Sequence, residues 1–297
     1  MTSTENIRFS FPRSLRELLR IQADEATRGT IVAGGTDLMA QWAAGVPAPA
    51  RATSLSHVPG LDEIRIEADG TVVVGAAVTH ALVRDFAPLK RHLPALAAAS
   101  ASVGATQIQA RGTIGGNAVN ASPAGDTAPA LLVTGGSAVA ASLGGTREIP
   151  LSAFWLAYRK TALAPGEVLV AFRLPPRRGA VETFRKIGTR RAQAISKIMA
   201  ASRIRLENGR IAEAAIALGS VGPTAVRLPP VEQLLLGKIP TPRLAAEAEA
   251  LASASVTPID DIRSSADYRR WAAGRLVRDI LENLIKQPKT QKKRKSE

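Results

Sequence analysis

The 297-residue sequence contains no cysteine, and its three histidines, His57, His80 and His92, are scattered along the chain. Without cysteine, the chain cannot form a disulfide, a thiolate zinc site or a cysteine-held iron–sulfur cluster. Three scattered histidines also argue against a metal site.

Long apolar runs are absent as well. No stretch of about 18 apolar residues occurs, and the N-terminal sequence MTSTENIRFSFPRS lacks an apolar segment of signal-peptide length. We therefore expect no membrane span and a cytoplasmic location. Hydrophobic residues nevertheless make up 45% of the chain. That fraction is typical of a globular protein, and the length is sufficient for two or three compact units.

Acidic residues are outnumbered, and the net charge is +14. Residues 286–297 hold six basic residues and one acid, which is +5 and leaves 14 − 5 = +9 for the rest. A basic tail can bind nucleic acid. Because no aromatic residue accompanies this one, we expect a solvated, disordered end at residues 287–297 and no nucleic-acid partner. The remaining charge suits a large anionic ligand or an acidic partner protein.

The pattern of apolar residues predicts an α+β fold. Residues 7–52 show strand, helix, strand, helix, with Ser14 capping the first helix. Thr36 or Asp37 is predicted to cap the second helix, which ends at Gly45.

Two hairpins are predicted farther along the chain, at Asp69-Gly70 and at Asn208-Gly209. The sequence LPPRRG, residues 174–179, predicts a boundary. Behind it, the second hairpin is followed by helices, of which residues 264–286 form the longest. The sequence thus predicts two mixed units in front and a hairpin with helices behind.

Residues 33–38, AGGTDL, carry a strand directly through two glycines into a helix start. Glycine permits close approach, and the free N–H groups of a helix start can cradle a pyrophosphate. The Rossmann and Walker patterns are both missing. A tight turn between a strand and a helix would explain the same residues. We name residues 33–38 the first glycine segment.

Residues 113–117, TIGGN, repeat the device some eighty residues later, and we name them the second glycine segment. Two anion nests would suit a ligand with two phosphates. Asn117 can donate and accept hydrogen bonds beside the glycines. Asp126 can accept from sugar hydroxyls, or it can cap the helix that starts there.

Five stretches together resemble the FAD-binding medium subunit of the molybdenum hydroxylases, the xanthine dehydrogenase and carbon monoxide dehydrogenase family. They are IVAGGTDLM, GTIGGNAVNASPAGDTAPALL, YRKTALAPGEVLVAFRLP, FRKIGTRRAQAIS and DIRSSADYRR. The resemblance implies an FAD-binding domain of the PCMH type at residues 1–176, with subdomains at about 1–58 and 59–176. It implies a C-terminal flavoprotein domain of antiparallel sheet plus helices at residues 180–286.

The resemblance also implies which residues contact FAD. Those expected at the pyrophosphate, with the two that lead in, are Ile31, Val32, Ala33, Gly34, Gly35, Thr36, Asp37 and Leu38. Those expected on the other side of the cofactor are Thr113, Ile114, Gly115, Gly116 and Asn117. Asp126 is expected at the adenosine side, Val103, Gly104 and Gln107 around the site, and Leu169 and Lys186 near the isoalloxazine ring.

Lys186 has a physical reason for that position, because a cation beside a flavin stabilises the reduced ring. The alternative is that Lys186 is one more charge in a basic stretch. Two features depart from some relatives. This chain has no cysteine-bearing loop for an extra cluster, and it has Val103 where an aromatic residue can stand, so the ring is expected to be more open.

The function implied by the resemblance is electron transfer. Electrons would come from a molybdopterin-binding large subunit through a two-iron two-sulfur small subunit, and leave to NAD or another acceptor. We expect a dimer of heterotrimers and no catalytic acid, base or nucleophile in this chain. The stretch YRKTALAPGEVLVAFRLP resembles the xanthine dehydrogenase type most; carbon monoxide, aldehyde and N-heterocycle substrates are alternatives.

Two other classes remain open from the sequence alone. One is a different flavoenzyme, such as a peptidoglycan-precursor reductase or an oxidase with covalent FAD. Covalent linkage uses His or Cys, and neither glycine segment contains one. The other class is a non-catalytic basic scaffold or nucleic-acid-binding protein.

Overall fold

The computed structural model describes residues 7–190 and 192–286, so the predicted tail at 287–297 lies outside the described residues. Among the described residues, no helix combines the length and the apolar character needed to cross a membrane. Over the same ranges, no cluster of three or more His, Asp or Glu side chains could hold a metal ion.

The described residues form fourteen strands and eleven α-helices, which agrees with the predicted α+β class. The strands are β1 (Arg8–Ser10), β2 (Thr30–Val32), β3 (Arg51–Ser54), β4 (Ile64–Ile66), β5 (Val72–Gly75), β6 (Ser137–Ser142), β7 (Gly145–Pro150), β8 (Trp155–Ala157), β9 (Lys160–Thr161), β10 (Val168–Leu174), β11 (Val181–Ile187), β12 (Ile198–Glu207), β13 (Arg210–Gly219) and β14 (Val226–Arg227). The helices are α1 (Leu15–Ala23), α2 (Thr36–Ala43), α3 (His80–Asp85), α4 (Ala87–His92), α5 (Pro94–Ala101), α6 (Thr106–Arg111), α7 (Ile114–Asn120), α8 (Thr127–Leu132), α9 (Pro229–Leu235), α10 (Pro242–Ala254) and α11 (Ala266–Lys286).

The first unit is a parallel three-stranded sheet in the order β1-β3-β2. Ser14 caps α1 as predicted, since its hydroxyl accepts from the Glu17 amide at 3.2 Å. Leu18 and Leu19 of α1 are buried in a core cluster with Leu55 and with Val168 and Val170 of β10. The strand–helix–strand–helix prediction is confirmed, and β3 is added in the centre.

The second unit is an antiparallel sheet in the order β4-β5-β10-β6-β7, covered by α3 to α8. The predicted turn at Asp69-Gly70 joins β4 and β5. The Asp69 carboxylate accepts from the Thr71 amide at 2.8 Å, and Gly70 has a φ of +87° that favours glycine. Phe154 and Phe172 fill the centre of the core of this unit.

The third unit is the antiparallel sheet β11-β12-β13-β14, with α9, α10 and α11 packed on one face. The second predicted hairpin is confirmed: Asn208 and Gly209 both have positive φ, +51° and +77°. Side chains of β12 alternate. Ile198 and Ile204 pack on the helices, whereas Ala201 packs into the core of the second unit.

A buried ion pair also links the second and third units. Glu182 on β11 accepts from Arg203 on β12 at 2.7 Å and from the Ala95 amide of α5 at 3.3 Å. Arg203 in turn donates to the Thr134 carbonyl at 3.1 Å. Because both charges are out of water, loss of either partner leaves the other uncompensated.

Candidate functional site

The first glycine segment, far away in sequence, contacts the two residues that directly precede the second glycine segment. A Cβ added at Gly34 would lie 1.9 Å from the carbonyl oxygen of Arg111 and 2.9 Å from the Cα of Gly112. Any side chain at position 34 would therefore displace the backbone that leads into the second glycine segment. Packing alone requires this glycine.

The second segment is anchored from behind by the residues around α3. The His80 amide donates to the Gly112 carbonyl at 3.0 Å, and the Ile114 amide donates to the Val78 carbonyl at 2.9 Å. His80 itself is 2% exposed, and its Nδ1 has no hydrogen-bond partner among the described residues. Burial lowers the pKa of His80 to about 4, so the ring is neutral near pH 7.

The start of α2 keeps its backbone donors available. The predicted cap at Thr36 or Asp37 is wrong, because Gly35 occupies the cap position with a φ of +72°. Among the described residues, no side chain caps this helix. The first-turn amides, with the positive end of the helix dipole, can therefore receive an anion.

The second glycine segment does not form the predicted anion nest. It begins α7, and four of its five amides donate within the protein. In the order Ile114, Gly115, Gly116 and Asn117, the acceptors are the Val78 carbonyl at 2.9 Å, the Ala76 carbonyl at 2.9 Å, the Thr113 hydroxyl at 3.0 Å and the Thr113 carbonyl at 2.9 Å. Thr113, as the cap of α7, accepts hydrogen bonds from amides that the sequence pattern predicts to be free.

What this segment offers is bare surface and one amide side chain. A Cβ at Gly115 would lie 2.4 Å from the Ala76 carbonyl oxygen, so that glycine serves packing. Gly116 is exposed, and among residues 7–190 and 192–286 a Cβ added there would meet the Thr113 hydroxyl oxygen at 3.0 Å and nothing else within 4 Å. The Asn117 oxygen accepts from the Thr127 hydroxyl at 2.6 Å, which leaves its NH₂ group to a ligand.

Asp126 and Lys186 form a buried ion pair. The Lys186 Nζ lies 2.6 Å from the Asp126 Oδ2, and the two side chains are 13% and 7% exposed. The same ammonium donates to the Ser102 carbonyl at 2.8 Å. The Ser196 hydroxyl donates to the other carboxylate oxygen, Oδ1, at 2.6 Å. Burial raises the pKa of the Asp126 carboxyl, against the lowering effect of Lys186.

This pair bears on the expectations for both residues. Asp126 stands at the cap position of α8, but its carboxylate makes no capping hydrogen bond. Lys186 is not an isolated cation, because Asp126 neutralises it. The resemblance implied the adenosine side of FAD for Asp126 and the isoalloxazine ring for Lys186, and the two side chains are in contact at 2.6 Å.

The remaining predicted residues differ in how far the structure buries them. Val103 and Gly104 lie in the half-buried turn before α6, whereas Gln107 is exposed. The buried Gln109 holds that turn, since its Nε2 donates to the carbonyls of Ala101 and Val103 at 3.0 and 2.9 Å. Leu169 is 4% exposed inside the core of the second unit, so its side chain does not form an exposed wall of the cleft.

The sequence reasoning missed Arg159, at the tip of the β8–β9 hairpin. Its Nη1 donates to the Asn120 Oδ1 at 3.0 Å and lies 3.9 Å from the Asp37 Oδ2. Its amide donates to the Ala121 carbonyl at 3.1 Å. Arg159 therefore bridges α2 and the end of α7. The signal was present in YRKTAL, but its contacts depend on residues far away in the chain.

The arrangement can hold an elongated anionic ligand. The uncapped start of α2 suits a pyrophosphate, exposed Gly116 permits close approach, and Lys186 uses two of its three donors within the protein. FAD has the matching chemistry: a pyrophosphate, polar sugar groups and a ring whose reduction adds negative charge.

Two family models cover nearly all of the chain. Residues 5–177 match the FAD binding domain in molybdopterin dehydrogenase. Residues 182–284 match the C-terminal domain of CO dehydrogenase flavoprotein.

Individual proteins agree with these models. The chain is 30% identical to the alpha subunit of the 6-hydroxypseudooxynicotine dehydrogenase complex of Paenarthrobacter nicotinovorans, over 92% of this chain and 90% of that one. It is 28% identical to the xanthine dehydrogenase FAD-binding subunit of Escherichia coli O157:H7, over 92% and 94%. A structure of carbon monoxide dehydrogenase from Hydrogenophaga pseudoflava superimposes with a TM-score of 0.88 at 28% identity, covering 92% of this chain and 95% of that chain.

These matches decide against the two alternative classes, a flavoenzyme of another kind and a non-catalytic scaffold. The cofactor is FAD, and the fold is the two-subdomain FAD-binding domain followed by the C-terminal flavoprotein domain. The chain belongs to the molybdenum hydroxylase family and is an FAD-binding oxidoreductase subunit of that family.

Proposed function

We propose that FAD lies in the cleft between the two glycine segments, with its pyrophosphate at the start of α2. The observation that carries this proposal is the uncapped helix start behind Gly35, which follows directly on the contact of Gly34 with Arg111 and Gly112. We retain the site residues predicted from the sequence and change two of their roles. Asp126 joins Lys186 at the flavin end, and Leu169 supports the site from the core. We also retain the predicted domain bounds, 1–176 and 180–286.

When bound, FAD supplies the capacity to take up electrons and pass them on. The residues of this chain bind and orient it. The amides of Thr36, Asp37 and Leu38 balance the pyrophosphate charge, and the Asn117 NH₂ group donates from the other side. Lys186 has one N–H beyond its two hydrogen bonds within the protein, and this N–H would donate to the ring. No acid–base or nucleophilic step is required of these side chains.

We further propose that the chain works in a complex with a molybdopterin-binding large subunit and a two-iron two-sulfur small subunit. The site described above offers a place for an electron carrier but no substrate chemistry beside it. Electrons would pass from the clusters to this FAD and then to NAD or another acceptor. A dimer of heterotrimers and a cytoplasmic location complete the proposal made from the sequence.

The substrate we propose is of the xanthine type, on the strength of the stretch YRKTALAPGEVLVAFRLP. That stretch carries the choice, since relatives named for a nicotine derivative, xanthine and carbon monoxide all share 28–30% identity with the chain. The alternatives are carbon monoxide, an aldehyde and an N-heterocycle.

The test is purification of the native complex through a tag on this chain. Metal analysis should find molybdenum and iron in co-purifying subunits. Xanthine, aldehydes, N-heterocycles and carbon monoxide should then be assayed with NAD, oxygen and a quinone-type acceptor. The chain expressed alone should hold FAD and oxidise none of these substrates. Turnover by the molybdenum-free chain would refute the proposal.

A further inference from the structure

We propose that Ser196 is a positioning residue for the flavin end of the site. Its hydroxyl fixes the orientation of the Asp126 carboxylate, and through it the direction in which Lys186 presents its free N–H group. The inference rests on the proposed function, in which FAD lies beside the Asp126–Lys186 pair.

The first support is the way the carboxylate is held. Asp126 belongs to the segment before α8, whereas Lys186 lies on β11 and Ser196 lies before β12. Oδ2 accepts from Lys186 and Oδ1 accepts from Ser196, each at 2.6 Å. The amides of α8 do not hold it, because the carboxylate makes no capping hydrogen bond. Each carboxylate oxygen is therefore held by a donor from the third unit, and the Ser102 hydroxyl of the second unit is a further side-chain donor to the carboxylate.

The second support is the freedom that the carboxylate would otherwise have. The terminal torsion of an aspartate is broad, so a carboxylate held only by a lysine can rotate. Ser196 is 1% exposed, and its own carbonyl accepts from the Ser220 hydroxyl at 3.3 Å. The serine is thus part of a packed segment and can act as a fixed reference point.

The third support is the donor count of Lys186. Of its three N–H groups, one donates to Asp126 and one to the Ser102 carbonyl, which leaves one. If the carboxylate rotates, the ammonium follows its charged partner, and the direction of the remaining N–H changes. Without the Ser196 hydroxyl, the Asp126 carboxylate also loses a hydrogen-bond donor that stabilises its negative charge.

A control is present in the same sheet. Ser202 on β12 is also 1% exposed, and its hydroxyl lies 2.8 Å from that of Thr183, a neutral partner. Ser202→Ala therefore removes an equally buried hydroxyl without touching the ion pair. Ser196→Thr and Ser196→Val form a second matched pair, because they have the same shape and differ in the hydroxyl.

The experiment measures the flavin midpoint potential and the FAD dissociation constant of each variant. Ser196→Ala should lower the affinity for reduced FAD relative to oxidised FAD by up to about tenfold, which for a two-electron couple is a potential lower by about 30 mV. The sign follows because the less compensated carboxylate repels the reduced ring. Ser202→Ala should leave the potential unchanged. The flavin midpoint potential of Ser196→Thr should be higher than that of Ser196→Val. This comparison decides the question if the alanine variant does not fold.

Equal potentials in Ser196→Ala and Ser202→Ala, or in Ser196→Thr and Ser196→Val, would overturn the positioning role. Asp126→Ala distinguishes the two levels of the argument. If this variant shifts potential and affinity while the serine variants do not, only the role of Ser196 fails. If Asp126→Ala changes neither quantity, the proposed FAD site itself is wrong.

Discussion

Breaking the Asp126–Lys186 pair should lower the free energy of unfolding by an amount that depends on which partner is removed. Lys186→Met leaves a buried carboxylate with the hydroxyls of Ser196 and Ser102 as its remaining side-chain donors. Since the two side chains are 13% and 7% exposed, solvent can compensate little of that charge. Removing one partner of a buried pair costs about 3–5 kcal/mol of unfolding free energy. We expect Lys186→Met to fall in that range.

The double variant Lys186→Met with Asp126→Asn should recover much of the loss. It removes both charges and leaves the cost of the lost hydrogen bonds, about 1 kcal/mol each. The losses of the two single variants should therefore exceed that of the double variant when added. Such non-additivity is expected of residues in contact.

The penalty of Lys186→Met should also depend on pH. Burial already raises the pKa of the Asp126 carboxyl, and loss of the cation raises it further. As the pH falls through that raised pKa, the carboxyl takes up a proton and the unpaired charge disappears. The difference between variant and wild type should thus be largest near neutral pH and narrow towards acid.

The measurement is urea unfolding of the wild type, Lys186→Met, Asp126→Asn and the double variant, with and without FAD, between pH 7 and pH 5. It gives the unfolding free energy of each protein and its dependence on pH. A Lys186→Met loss below about 0.5 kcal/mol, or strict additivity in the double variant, would refute the description of a buried, mutually compensating pair.

Three further predictions concern single residues. Lys186→Met should lower the flavin potential by roughly 20–65 mV in a potentiometric titration. A charged hydrogen bond is worth about 1–3 kcal/mol, and 1.4 kcal/mol corresponds to about 30 mV for a two-electron couple. An unchanged or raised potential would contradict this prediction. Between pH 6.5 and the His80 pKa of about 4, the wild type should lose about 3 kcal/mol more stability than His80→Gln, because the unfolded chain binds the extra proton; parallel pH profiles would count against it. Glu182→Gln should cost about 3–5 kcal/mol in urea unfolding by leaving Arg203 unpaired, and a loss under about 1 kcal/mol would show that the ion pair is dispensable.

Local signals in the sequence were sufficient for much of the fold. Ser14, Asp69-Gly70 and Asn208-Gly209 act through their own backbone neighbours, so their turns and caps could be predicted. The strand β3 could not, because four residues, RATS, carry little pattern and pair with strands on both sides.

The site was predicted less completely, for a related reason. That Gly34 lies against residue 111 and that Asp126 meets Lys186 sixty residues later follow from packing between units. The second glycine segment looked like an anion nest because its sequence does not reveal that Thr113 and the chain before α3 consume its amides. Residue types and spacing identified the right segments, and tertiary contacts decided their roles.

The most direct test of the account is the FAD content of three glycine variants beside the wild type. Gly35 and Gly45 both have positive φ, +72° and +90°, so valine strains the backbone at either position, but Gly45 has open space around it and lies outside the glycine segments. Wild type and Gly45→Val should bind one FAD per chain, released by acid without covalent attachment. Gly35→Val and Gly116→Val should lose it. Full FAD occupancy in both of these variants would contradict the central claim that the cofactor lies against the two glycine segments.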